Sequence, residues 1–177
     1  MKSIVIWSSR TGNTKAVGRA IYEALSGDKE FAEAGRVKDF SAYDLVFVGF
    51  WAYRRGPDMV AENVLMSLSG KKVAIYGTCG AWPDSEAGKR YVENGAALLS
   101  EDNVYLGGFI CQGRVYSFHV GKRSNEEAKA HPMTEERRIR LEEAEHHPDE
   151  VDLAKAADWA RDMEKKSRSL VNYYSKG

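Results

Sequence analysis

The chain has only two cysteines, Cys79 and Cys111, too few for a disulfide framework and without metal-ligand spacing. Reduced thiols in an intracellular protein are the expected state. It also has no net charge, since 26 lysines and arginines stand against 26 aspartates and glutamates. Without a basic excess there is no electrostatic footprint for nucleic acid, and no such partner is expected. Long apolar runs are missing too. The first residues offer Lys2 and the short run Ile4 to Trp7, far short of a signal-peptide core, and no segment approaches the ~20 residues of a membrane span. A soluble, cytoplasmic protein with no membrane contact is expected. No internal repeat, low-complexity tract or second-domain boundary divides the 177 residues, which read as a single domain, 1–177, large enough for one well-buried core. Two phosphate motifs are absent as well, the Gly-Lys-Ser/Thr of a Walker loop and the GxGxxG of a dinucleotide fold.

What the chain does have begins at Ser8, Ser9, Arg10, Thr11, Gly12, Asn13 and Thr14. The stretch follows the apolar run Ile4 to Trp7, which reads as a buried parallel strand. It opens a helical pattern with Val17, Ala20, Ile21 and Leu25 on one face. A strand, a hydroxyl-rich loop and a helix start present backbone N–H groups and the positive end of a helix dipole to an anion. The plain alternative is an ordinary helix start with Asn13 or Thr14 as N-cap.

Downstream, short apolar runs alternate with longer helical patterns, the signature of parallel strands covered by helices on both faces. Gly27 ends the first helix. A weak strand near Glu33 to Lys38, expected at an edge, leads to a strong third strand, Tyr43 to Gly49. Pro57 and Asp58 start a helix with Val60, Val64, Leu65 and Leu68 as its buried stripe, and Gly70 ends it. Lys72 to Gly77 returns to the sheet. Asp84 or Ser85 caps a helix reaching about Ser100, and Val104 to Cys111 is the fifth strand. Gln112 to Met133, with Lys122, Arg123, Lys129, His119 and His131, reads as a long polar excursion. Two helices follow, one capped by Thr134 and running to about Glu145, the other begun by Pro148 and Asp149 with Leu153, Ala157, Ala160 and Met163 as its packing stripe. The order fits a doubly wound α/β sheet of five parallel strands arranged 2-1-3-4-5, formed by residues 1–111. Residues 112–177 add the excursion and the C-terminal helices, and the ligand crevice falls at the switch point between strands one and three.

Ser9, Arg10, Thr11, Gly12, Asn13 and Thr14 resemble the S/T-x-T-G-x-T loop of the flavodoxin family, which holds the phosphate of FMN. Tyr43 to Gly49 resembles that family's third strand, and Lys72 to Gly77 with Thr78, Cys79 and Gly80 its fourth strand and flavin loop. The resemblance implies FMN as cofactor, with the ring between the loops after strands three and four. Those loops contain Phe50, Trp51, Ala52, Tyr53, Arg54, Arg55 and Gly56, and Thr78, Cys79, Gly80, Ala81, Trp82, Pro83 and Asp84. Trp51 or Tyr53 on one side and Trp82 on the other offer faces on which a flat ring can stack. Gly56 and Gly80 allow close backbone approach or a positive φ. Cys79 is expected to serve through its backbone, at the pyrimidine edge of the ring. Arg54 and Arg55 depart from the small or acidic residues of the family's loop, and two readings stay open for them. They raise the flavin's potential by favouring its anionic reduced form, or they form a partner-facing or solvent-facing patch.

The expected function is electron transfer by an FMN-binding carrier, with a reductase or ferredoxin as donor and a reductive enzyme as acceptor. The alternative is an FMN-dependent NAD(P)H reductase of quinones or other small molecules. No catalytic thiol is expected, because no base is placed near Cys79, and Cys111 reads as a small apolar residue. His119, His131, His146 and His147 read as surface histidines. A response-regulator receiver is excluded by Trp7 and serines where an acidic cluster would stand.

Overall fold

Strand β1 (Ser3–Trp7) lies between β2 (Lys29–Glu33) and β3 (Leu45–Trp51), and β4 (Lys72–Cys79) and β5 (Val104–Gln112) extend the sheet on the β3 side. The computed structural model, which describes residues 1–115 and 133–174, therefore has one five-stranded sheet of order 2-1-3-4-5, parallel throughout. The helices are α1 (Asn13–Ala24), α2 (Met59–Ser67), α3 (Glu86–Ala96), α4 (Glu135–Ala144) and α5 (Glu150–Tyr174), with a short 3-10 turn at Ala34–Arg36.

Alternation along the strands divides the core. Ile4 and Ile6 of β1, Val46, Val48 and Phe50 of β3, and Val73 and Ile75 of β4 pack with Ala61 and Leu65 of α2 and Val92 of α3. On the other face, Val5, Phe47, Ala74 and Tyr76 pack with Val17 and Ile21 of α1 and Ala156 and Ala160 of α5. The central strands are buried on both sides, which is why they read as continuous apolar runs. Tyr76 is fully buried, and its hydroxyl donates to the carbonyl of Ile6 at 2.9 Å. It occupies space left by two glycines: a Cβ on Gly18 would meet the Tyr76 hydroxyl at 2.2 Å, and one on Gly49 would meet the ring at 2.2 Å. The helix carrying the hydroxyl-rich loop is thereby set close to the sheet.

Several boundaries differ from those expected. The second strand lies earlier, at Lys29–Glu33, and the expected Glu33 to Lys38 region forms the 3-10 turn instead. It is an edge strand, as expected, and its charged residues suit an edge. Strand β3 starts at Leu45 and continues to Trp51, and β4 continues to Cys79, so Phe50, Trp51, Thr78 and Cys79 belong to strand ends rather than loops, with Trp51 paired to Thr78. In α2 the stripe is Ala61, Val64, Leu65 and Leu68; Val60 is 43% exposed. In α5 Ala156, Ala160 and Ser167 are fully buried, with Leu153 and Met163 partly buried beside the two alanines. Most of the expected excursion, including His119, Lys122, Arg123, Lys129 and His131, lies outside the described residues.

Candidate functional site

The loop between β1 and α1 turns on Gly12, whose φ of 94° lies in the left-handed region that glycine tolerates. Gly12, not Asn13 or Thr14, is the N-cap, and no side chain caps the first amides of α1. By contrast α2, α3 and α4 are capped by Asp58, Ser85 and Thr134, and each has a glutamate in its first turn. The first turn of α1 has no acidic residue. Its free N–H groups and positive dipole end are left for an anion. The Ser9 hydroxyl accepts from the Gly12 N–H at 3.1 Å and closes the loop, while the space where a Gly12 side chain would stand is open for 4 Å.

Three side chains fasten this loop to its neighbours. The buried Thr14 hydroxyl lies 3.3 Å from the Phe50 carbonyl and 2.9 Å from the Thr78 hydroxyl, so it joins α1 to the ends of β3 and β4. Asn13 donates from Nδ2 to the Arg114 carbonyl at 3.0 Å. The buried carboxylate of Asp58 accepts from the Ser8 hydroxyl at 2.7 Å, from the Trp51 N–H at 3.3 Å and from the Val60 and Ala61 N–H groups of α2. A group that satisfies four donors from three segments fixes their spacing.

A cleft of about 220 Å³ opens between these segments. Of the expected residues it brings together Arg10, Thr11, Asn13, Trp51, Ala52, Thr78, Cys79 and Gly80. Ser9, Gly12 and Thr14 belong to the same loop but do not line the cleft. Tyr53 lines an adjoining groove, and Trp82, 37% exposed, borders neither. The far wall is Gly113, Arg114 and Val115, which the sequence offered only as the start of a polar stretch. Gly113 donates its N–H to the Cys79 carbonyl at 2.9 Å, and a side chain on Gly80 would meet Val115 at 2.7 Å. The Arg114 backbone N–H donates to the His147 carbonyl at 2.7 Å and its Nε to the Glu145 carbonyl at 2.9 Å, so the α4–α5 junction holds this wall.

Four side chains form a continuous stack at the mouth. Arg10 lies over the Trp51 ring at 5.7 Å, Trp51 meets Tyr53 at 5.3 Å between centroids, and Arg54 lies over Tyr53 at 5.3 Å. Gly56 and Gly80, expected to allow close backbone approach or a positive φ, do not take the positive φ; in the loop after β3 it falls on Arg54, at 53°. Burial pushes the Cys79 thiol up to about 11, which disfavours the thiolate near neutral pH.

The flavodoxin domain family matches residues 4–161. The chain belongs to the flavodoxin family. It is 34% identical over 170 residues to the flavodoxin-like domain-containing protein BilS of Clostridioides difficile (strain CD3), covering 92% of this chain and 96% of that relative. The BilS protein of Clostridium symbiosum (strain WAL-14163) is 26% identical over 176 residues, with 87% and 91% covered. In fold, a flavodoxin of Streptococcus pneumonia TIGR4 matches with a TM-score of 0.61 at 16% identity, over 94% of this chain and 99% of that one.

With this flavodoxin's family membership goes FMN as cofactor, and the residues fit it. The uncapped, acid-free start of α1 suits a phosphate, Trp51 offers a ring face beside it, and no carboxylate among the described residues lines the cleft. Among the histidines, His146 is exposed and His147 is partly buried, with Nδ1 bonded to Asp152. Asp149 and Asp152 exchange hydrogen bonds as the cap of α5, so this cluster is accounted for by helix capping. No helix among the described residues is long and apolar enough to cross a membrane.

Proposed function

We propose that this flavodoxin is an electron carrier that takes electrons from a reductase or ferredoxin and delivers them to a reductive partner enzyme. FMN, when bound, supplies reversible electron storage. The residues that would hold its phosphate are Ser9, Thr11 and Asn13 with the amides following Gly12. Arg10, Gly12 and Thr14 shape that loop. Trp51, Ala52, Thr78, Cys79 and Gly80 would hold the ring, with Tyr53 at its margin, whereas Trp82, expected on the other face, borders neither the cleft nor the groove.

The observation that carries the reading is the size of the cleft beside its fixed aromatic wall. About 220 Å³ is less than the ~300–1,000 Å³ that encloses a drug-sized ligand. A flavin entering by one edge would fill it, with Trp51 against one face of the ring, and a covered face favours transfer through the exposed edge over hydride transfer, which needs a nicotinamide held against the ring. Trp51 is held between Arg10 and Tyr53 and keeps that wall in place. Electrons then pass through an edge that a partner protein can approach.

Stopped-flow mixing tests this. NADPH or NADH alone should reduce the FMN-loaded protein very slowly, whereas dithionite or a reductase should reduce it at once. Rapid bleaching by either nicotinamide would promote the NAD(P)H reductase in place of the carrier.

A further inference from the structure

Beyond the cleft, the loop after β3 closes into a two-residue hairpin. Tyr53 donates its N–H to the Gly56 carbonyl at 3.0 Å, and Gly56 returns the bond to Tyr53 at 3.1 Å. The two residues at the tip are Arg54 and Arg55. Arg54 has a φ of 53°, at a turn position that glycine usually fills. A side chain kept there, against the backbone's preference, points to use of the side chain. The Asn94 amide of α3 donates to the Arg55 carbonyl at 2.6 Å, so the tip is tied down from the neighbouring helix.

Behind the tip runs an open groove of about 500 Å³. Its apolar wall includes Tyr53, Met59 and Leu98, with Tyr53 43% and Met59 70% exposed. Glu62 is the one carboxylate lining it among the described residues. Four arginines are neutralised locally: Arg36 pairs with Glu33, Arg138 with Glu135 and Glu142, Arg161 with Asp158, and Arg168 with Glu164. Among the described residues, Arg19, Arg90 and Arg140 form no ion pair, and neither do Arg54, Arg55, Arg10 and Arg114. Two of the last four border the groove and two border the cleft, with the Trp51–Tyr53 ridge between them.

We propose that the Tyr53–Gly56 turn and its groove dock an acidic protein face, one that sets carboxylates against Arg54 and Arg55 and an apolar side chain into the groove beside Met59 and Leu98. The charge follows from two adjacent cations, Arg54 and Arg55, that form no ion pair, with a single carboxylate, Glu62, lining the groove among the described residues, because complementary charge steers and orients encounter. An exposed aromatic and arginines in a held turn are the composition of an interface centre. Nucleic acid is disfavoured, since the cations sit at one small turn on a chain with no basic excess and do not form a track for phosphates. The partner's role as a redox protein rests on the carrier reading; the polarity of its face does not.

The test uses the full chain without cofactor, titrated calorimetrically with poly-L-glutamate, poly-L-lysine and oligothymidylate. The comparison protein carries Arg54→Gly with Arg55→Gln, which removes both charges and puts glycine where the backbone already suits it, so folding is retained. Poly-L-glutamate should bind the unaltered chain in a salt-sensitive manner, more tightly than poly-L-lysine does, and lose about tenfold in affinity in the variant. Unchanged poly-L-glutamate affinity in the variant, or tighter binding of poly-L-lysine, would overturn the proposal. Tighter oligothymidylate binding that the variant abolishes would reassign the face to nucleic acid. FMN titration of both proteins keeps the readings apart: failure of FMN to bind strikes the carrier reading and leaves the poly-L-glutamate comparison standing.

Discussion

The Ser8 hydroxyl and the Asp58 carboxylate meet at 2.7 Å across fifty positions of sequence, with both residues buried. Through this contact the loop that starts α1 and the loop that starts α2 share one anchor. The same carboxylate holds the Trp51 N–H.

Asp58→Ala leaves the Ser8 hydroxyl and the Trp51, Val60 and Ala61 amides without their acceptor. Denaturant unfolding should show a loss of about 2–4 kcal/mol, more than a cap alone costs. FMN affinity should fall with it, although Asp58 does not line the cleft.

Thr11→Glu places a carboxylate at the uncapped start of α1, where the anion is expected. Calorimetric titration should show FMN affinity reduced by about tenfold or more, with riboflavin, which has no phosphate, nearly unaffected. Equal losses for both ligands would place the phosphate elsewhere.

Gly49→Ala drives a methyl group into the Tyr76 ring, at 2.2 Å before any adjustment. Overpacking of this kind costs about 1–3 kcal/mol. In a Tyr76→Leu background the same substitution should cost much less, and a double-mutant cycle on unfolding free energies measures the difference.

His147 answers to pH. Its partial burial alone would lower its pKa, but the hydrogen bond and charge of Asp152, with Glu143 and Asp149, outweigh that and raise it above the ordinary histidine value. A raised pKa in the fold means that the stabilisation is complete below the unfolded value of about 6.5 and is lost as pH rises through the folded one. The unfolding free energy should therefore fall slightly from about pH 6 to about pH 8, by under about 1 kcal/mol. That slope should shrink in His147→Gln.

The sheet order could be read from residues because β1, β3 and β4 are buried on both faces and so appear as unbroken apolar runs. The edge strand could not be placed. Lys29, Glu30, Phe31, Ala32 and Glu33 mix charged and apolar positions, so this edge strand shows no unbroken apolar run. The phosphate loop is legible because small hydroxyl residues flank a glycine there. The wall at Gly113 to Val115 contributes mainly backbone to its contacts, and backbone groups leave no mark in composition. Asp58 reads as a helix start, which it is. Its bonds to Ser8 and Trp51 depend on proximity across the sheet, which no local pattern reports. Likewise nothing in the run Tyr53 to Gly56 tells that Arg54, and not Gly56, takes the left-handed conformation.

Helix α5 lies beside α1 on one face of the sheet, with Trp159 edge-on to the buried Phe47 at 5.7 Å and the Ser26 hydroxyl bonded to Glu164 at 2.9 Å. During synthesis the flank of α1 and the Phe47 side of the sheet leave the ribosome early. Their cover, residues 150–174, emerges well after them. The nascent protein must therefore keep an apolar surface exposed until those residues have been made. Stable seating of the cofactor-bearing helix then waits on α5 and does not belong to the first-made strands and helices alone.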